Sequence, residues 1–545
     1  AMSASATTPP LAAASTSTRS SASAPSRARV ATARAPPRRR RGDATTAAAA
    51  VAVAPAVTGV DVAVARELVA WLTVEKGLAD SSAKLVTFGD GAVPTLVADV
   101  RAGEPLLEIP QNLAVTSVDV SDHPIVAGLA AGRGELVGLA LWLCCERAKG
   151  SLSDWAPYVN TLPTGCTVDH PLRWEESEIR SLLKGSPTCE QAVGRAADAR
   201  EEYASIRAAI AADADAYPAD AYEFLTELAF TDALATVLAR AVWLNAANVY
   251  ALVPLVDLLP VVGAPPPGVN PAAAAADAGA RGLDAAVGVV DYDAATECVA
   301  VVSANDARQT APVVCADALG RNAGDLFLST GRVNGAHVGD YLTFVTSTVM
   351  SDKLYAAKKQ ILEGMGYSAD AQAFPVFADR MPLQLFAYMR FARVQEPSEL
   401  MTVSFEEDRI VSPMNEYEIL QLLMGDAREM LAEYENSSEE FELLQLKETN
   451  ISERQMTAAK LRLGEKRLIN ATTTAVRKRL APIRGIPTKQ GLEDPNADLL
   501  EIFDAIENLP NKPKQMFDEF RAWARGDYED QIRGGGKGGG GSGCG

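Results

Sequence analysis

The chain has 545 residues, 48% of them apolar, enough to bury the cores of two or three ordinary domains. Its formal charge of −19 is unevenly placed: residues 1–50 hold eight arginines and one acid, which leaves the remainder at −26. So acidic a body excludes a broad basic face for nucleic acid and suits a basic protein partner, such as a lysine-bearing peptide or subunit. No apolar run is long and uncharged enough to span a membrane.

The opening stretch, AMSASATTPPLAAASTSTRSSASAPSRARVATARAPPRRRR, is rich in Ala, Ser, Thr and Arg and has no acid before Asp43. It cannot bury a core, so disorder is expected. Its composition suits an organellar transit peptide, plastid rather than mitochondrial, with a generic basic tail as the alternative. Seven cysteines are scattered without a CxxC pair, which points to reduced thiols and no metal site.

Residues 61–80 read as a helix with Val64, Leu68, Leu72 and Val74 apolar. Next come short β-rich runs, LVTF, TLVADV, PLLEIP and LAVT, which predict a small antiparallel sheet. Residues 135–250 read as mostly helical, through ELVGLALWLCCERAKG and DALATVLARAVWLNA. An apolar run, ALVPLVDLLPVVG, passes into a Pro/Gly/Ala loop. Strand-like text returns at AAVGVVDYDAATECVAVVSA and at DLFLST.

From about residue 346 the pattern turns helical. EYEILQLLMGDAREMLAEY places Ile419, Leu420, Leu423, Ala427, Met430, Leu431 and Tyr434 on one face, with Ser412 as cap and Pro413 in the first turn. Ser437 to Glu440 can open another helix, and SERQMTAAKLRLGEKRLINATTTAVRKRL is a further long one. The tail IRGGGKGGGGSGCG is a flexible end with Cys544 exposed.

In this order, DWAPYVNTLP, ARAVWLNAANVYALVPLVDLLP, FPVFADRMPLQLFAYMRF, NEYEILQLL and LRLGEK together resemble the SET-domain proteins related to Rubisco large-subunit lysine methyltransferase, over roughly residues 60–485. The resemblance implies an α+β protein: a β-rich SET fold with a helical insert, then an all-α C-terminal domain. The expected organisation is a transit segment over 1–55, a SET-like domain over 60–345 with its insert at about 135–250, an all-α substrate- or partner-binding domain over 346–485, a helical extension over 486–532 and a Gly-rich tail over 533–545.

The chemistry this family performs is in-line transfer of a methyl group from S-adenosylmethionine to a neutral amine, which needs collinear positioning and a dry, narrow channel. The resemblance implies backbone contacts to the cofactor near Leu96 and Ala98, and matches Arg240 and Asp257 to its cofactor region. The chain departs from the family at several points. Pro94 and Thr95 stand where glycine is expected, and Leu259 and Pro260 replace the Asn-His pair that holds adenine. Set against the pattern I-S-Y-G-x-x-x-N-x-x-L-x-x-Y-G-F, the stretch LFLSTGRVNGAHVGDYLTF puts Thr330 at the catalytic tyrosine, matches Gly331 and Asn334, and puts Tyr341 at the second, channel tyrosine. Phe344, displaced by two, stands for the phenylalanine. His337 reads as a turn histidine, and His123 and His170 lie before prolines with no acid or thiol paired to them. The Arg240 and Asp257 side chains fit a buried structural pair as well as a cofactor contact.

Two readings follow. In one the protein is a catalytically degenerate scaffold or assembly factor in the chloroplast stroma, with Rubisco or the plastid RNA polymerase complex as candidate partners. In the other it is an active S-adenosylmethionine-dependent protein-lysine N-methyltransferase on a stromal protein.

Overall fold

The structure, a computed structural model, describes residues 62–78, 86–88, 94–164, 169–218, 221–262, 285–317, 319–333, 340–378 and 381–483. The proposed transit segment, the Pro-rich loop, Asn334, His337, the C-terminal extension and the Gly-rich tail lie outside these residues.

The first helix, α1 (Val62–Ala70), buries Ala65 and Leu68 and runs on into a π-helical turn over Trp71–Glu75. Strands β1 (Val86–Phe88), β2 (Pro94–Leu96), β3 (Pro105–Pro110) and β4 (Val115–Thr116) follow. The helical insert contributes α2 (Glu135–Lys149), α3 (Glu176–Leu182), α4 (Thr188–Ala212) and α5 (Glu227–Arg240), besides shorter turns. Then come β5 (Val242–Leu244), β6 (Val249–Leu252), β7 (Val261–Val262), β8 (Ala286–Asp293), β9 (Cys298–Ser303) and β10 (Val313–Ala316).

The four early strand-forming runs each overlap a strand, but together they do not make one sheet. β1 pairs with β2 alone, β3 joins a five-stranded sheet of order β3-β9-β8-β10-β7, and β4 joins β6 and β5. The large sheet is antiparallel across β3, β9 and β8 and parallel across β8, β10 and β7. β3 and β4 find partners far along the chain, which local pattern cannot reveal. The helical reading also ran too far. α5 stops at Arg240, and Val242 to Leu252 form a hairpin whose turn places Asn248 at φ 52°, a left-handed position that asparagine tolerates.

The stretch DLFLST is a helix, α6 (Ala323–Thr330), not a strand. Asn322 caps it by accepting the Asp325 N–H at 2.7 Å, and Gly331 ends it in the left-handed conformation. Leu326, Phe327 and Leu328 are all buried, and such a continuous apolar run does not distinguish strand from helix by period.

The C-terminal half is helical, with one two-stranded sheet that the all-α expectation lacks. β11 (Tyr341–Thr346) pairs antiparallel with β12 (Gln372–Phe377), with helix α7 (Tyr355–Gly364) between them. There follow α8 (Leu383–Arg393), α9 (Pro413–Glu433), α10 (Glu439–Gln445) and α11 (Glu453–Leu480). Ser412 caps α9 through the Asn415 N–H, with Pro413 in the first turn, and Ile419, Leu420, Leu423 and Ala427 are buried as their spacing predicts.

Among the described residues, one large apolar cluster fills the N-terminal half, and a second fills the C-terminal half around Phe374, Tyr388 and Leu420. A third joins them: Trp174, Ile179 and Leu183 pack with Phe327 and Leu328 of α6 and with Ala458 and Leu461 of α11.

Candidate functional site

The DWAPYVNTLP segment forms a short turn that buries Tyr158 completely. The Tyr158 hydroxyl donates to Asp257 Oδ2 at 2.7 Å. Asp257 sits in a 3-10 turn (Val256–Leu258) and is 5% exposed, and its Oδ1 has no hydrogen-bond partner. Arg240, at the end of α5, donates through Nη1 to the Asp257 carbonyl. Burial pushes the Asp257 carboxyl up to about 6, against the opposing pull of Arg240 and of the Tyr158 hydrogen bond. Burial, with the Asp257 charge adding to it, also lifts the Tyr158 phenol well above its ordinary value. Arg240 and Asp257 are thus neighbours, but the guanidinium bonds the Asp257 backbone carbonyl, and the carboxylate's side-chain donor is Tyr158, a tyrosine that sequence reasoning quoted but gave no role.

The chain enters this turn through Leu255, buried at φ 69°, a conformation that costs energy for a γ-branched residue. It leaves through Leu259, which is buried, and Pro260, whose carbonyl accepts the Cys315 N–H at 2.8 Å. Val261 then pairs with Cys315 in the parallel β7–β10 ladder. The segment where the family carries its Asn-His pair is thus spent on sheet pairing, and Leu259 and Pro260 offer no side-chain donor.

Beyond β10 lies Asp317, also buried. Arg321 grips it from two sides: the backbone N–H donates to Oδ2 at 2.7 Å and Nη2 donates to Oδ1 at 2.8 Å. The same guanidinium donates through Nη1 to Ser329 Oγ at 2.9 Å. At the far end of α6 the Thr330 hydroxyl donates back to the Leu326 carbonyl at 2.6 Å, and Thr330 Oγ1 accepts the Arg332 N–H at 3.2 Å. It serves as a helix-end cap. Arg332 lies close enough to Arg240 to act on its charge, so this helix end borders the Arg240–Asp257 pair.

Gly331, at φ 69°, is pressed against the Asp169-His170 backbone: a Cβ there would come 2.8 Å from the Asp169 carbonyl oxygen and 3.1 Å from His170 Cα. His170 is buried, its Nε2 donating to the Ser329 carbonyl at 3.1 Å while Nδ1 accepts the Leu172 N–H at 3.2 Å. Both bonds are those of a neutral imidazole, and burial lowers its pKa to about 4. With both ring nitrogens engaged, His170 has none free to serve as a general base. His123 does have an acid nearby, contrary to the sequence reading: its Nε2 is 3.8 Å from Glu146 Oε1.

The remaining expected site residues are dispersed. Tyr341 opens β11, half-buried, its ring centroid 5.5 Å from that of Phe377, and burial together with Asp325, Asp340 and Asp317 pushes its phenol up to about 12. Phe344 is buried in the C-terminal core opposite Phe374. Leu96 is buried in β2, its N–H bonded to the Ala311 carbonyl and its carbonyl to the Thr310 N–H, while Ala98 is exposed. The backbone groups of Leu96 are therefore occupied within the protein. The described residues hold no cluster of metal-ligating side chains.

Residues 350–469 match the family model of the Rubisco LSMT substrate-binding domain. The chain superposes on the SET domain of LSMT bound to lysine and AdoHcy with a TM-score of 0.56 at 19% identity, covering 81% of this chain and 98% of that one. Rubisco LSMT bound to AdoMet gives 0.57 at 19% identity, covering 80% and 99%. The fold is SET/LSMT-like. Among curated proteins, the SET/LSMT-like chain is 25% identical over 426 residues to the actin-histidine N-methyltransferase of Mus musculus, and 26% identical to that of Homo sapiens. These matches cover 74% of this chain and 66% of the relatives' length.

Because DLFLST is helical, Thr330-Gly331 closes a helix rather than a strand, and Tyr341 opens a separate strand, β11. Whether the bound cofactor of the structural neighbours suits this site turns on the donors present. Asp257 Oδ1 is a buried acceptor with no hydrogen-bond partner beside Arg240, but the adenine-holding amide and imidazole have no counterpart at Leu259, Pro260 or Val261. The described residues do not fit the cofactor as the family holds it.

Proposed function

We propose that this SET/LSMT-like protein is a catalytically degenerate scaffold, which uses its C-terminal helical half to bind a protein partner. One observation carries the reading. Thr330, which the resemblance sets at the catalytic tyrosine, has its hydroxyl committed to an internal bond with the Leu326 carbonyl at 2.6 Å and presents none to a reacting nitrogen. The substrate-binding description of the matched domain supports a protein as the partner. The proposed setting is the chloroplast stroma, with Rubisco or the plastid RNA polymerase complex as candidate assemblies, on the ground of the basic, acid-poor opening segment and the acidic body.

A second reading is favoured by the Asp257 Oδ1 atom, a buried acceptor in want of a donor. On that reading the protein transfers a methyl group from S-adenosylmethionine to a lysine or histidine nitrogen, as the names of its relatives indicate for them. Calorimetric titration of the folded protein with S-adenosylmethionine separates the two. The scaffold reading expects no saturable heat. Micromolar binding, followed by methyl transfer to a protein in a stromal extract, overturns it. Purification of native complexes then tests the partner: a protein recovered only as free monomer speaks against the scaffold.

A further inference from the structure

The LRLGEK segment lies in the middle of α11 and carries the buried acid Glu465. Its carboxyl accepts from both halves of the molecule. From the segment that leads into α4, Ser186 Oγ donates to Oε1 at 2.8 Å and Thr188 Oγ1 donates to the same oxygen at 3.1 Å. From the end of α9, the Tyr434 hydroxyl donates to Oε2 at 2.9 Å. The backbones meet at the same place: Gly185 has φ 82°, and a Cβ on it would lie 2.4 Å from Tyr434 Cα.

We propose that Glu465 is a proton-sensitive clasp between the SET-like half and the C-terminal half, tight when its carboxyl is protonated and loosened when the carboxyl ionises. All of its hydrogen-bonding partners are neutral hydroxyls. The cations on its own helix, Arg462 and Lys466, are bonded to Glu442. The other charged groups that act on this region are Glu433 on Tyr434, Glu190 and Arg180 on Cys189, and Asp340 ahead of β11; Arg462 also acts on the Tyr434 phenol and Lys466 lies 5.0 Å from its ring centroid, but among the described residues no cation bonds to the Glu465 carboxyl. An ionised carboxylate here takes all three hydroxyls as donors but sits uncompensated by a bonded cation. A protonated carboxyl must donate in turn, so one hydroxyl reverses and the buried charge disappears.

Burial raises the Glu465 pKa to about 7, the hydroxyls pulling it down and Asp340 adding to the rise. The sign follows from linkage. The folded pKa lies above the unfolded value, so the folded state binds more protons between the two, and the stability of the junction falls as pH rises through that window toward about 7.

Hydrogen exchange of the full chain, read at residues 185–189 and at Tyr434 and corrected for intrinsic rates, tests the clasp. Wild-type protection there is expected to fall about tenfold between pH 5.5 and pH 8, while Glu465→Gln, a neutral isostere, shows no such fall. Tyr434→Phe removes one donor to the carboxylate and is expected to move the midpoint to higher pH. It also keeps the test available should Glu465→Gln not fold. The same pH profile in wild type and Glu465→Gln, or an unmoved midpoint in Tyr434→Phe, overturns the proposal.

Discussion

A side chain at Gly331 has no room and the wrong backbone angle. Gly331→Ala is expected to cost about 1–3 kcal/mol, combining left-handed strain with a clash against the Asp169 carbonyl. Gly194→Ala, inside α4 with nothing within 4 Å of the added methyl, is expected to be neutral or to stabilise by up to about 1 kcal/mol. Thermal melts of the two variants against wild type check both. At this scale the sequence showed which residues were missing more readily than what the present ones do. Arg240 and Asp257 were legible from their motif, but the Tyr158 hydroxyl reaches Asp257 across 99 positions of chain, a pairing no local pattern encodes. Thr330 was recognised as short of a phenol. Its actual use, as a bond back to its own helix, depended on knowing that the segment was helical.

Helix caps were the most legible elements, because their signal is local. Ser412 and Ser452 stand where capping rules put them, and α10 starts one residue inside the serine-rich signal, with Ser438 as its cap. Ser452 forms a reciprocal box with Gln455, each side chain bonded to the other's backbone N–H. Ser452→Ala is expected to cost about 1 kcal/mol, whereas Ser437→Ala, exposed and one residue outside α10's cap, should change stability little. Urea denaturation of the two variants distinguishes them. The β5–β6 hairpin was missed for the converse reason. A strong helical period in α5 ran straight into Val242-Trp243-Leu244, and the asparagines of the turn were the overlooked stop signal. The pairing of β11 with β12 was hidden in the same way by the helices around it.

On the scale of the whole molecule, fold class was legible and sheet order was not. PLLEIP reads as a strand anywhere, but nothing within it says that it pairs with CVAVVS far along the chain. The joining of the halves was equally silent. α11 reaches back so that Arg454 pairs with Asp169 and Glu178 and lies over the Trp174 ring, which in turn packs against Phe327 at 5.6 Å between centroids. The close packing of Gly331 on His170 has a kinetic meaning as well. The His170–Ser329 bond beside it closes a loop of 159 positions, and the Arg454–Asp169 contact one of 285. Contacts so distant in sequence bear the entropy of loop closure before they return any binding, so they form after the local helices. Refolding followed by far-ultraviolet circular dichroism should therefore run ahead of the part of the fluorescence change that Trp174→Phe removes. Equal rate constants for the two signals count against this order. The seam that Gly331 keeps narrow then finds its place after the local helices have formed.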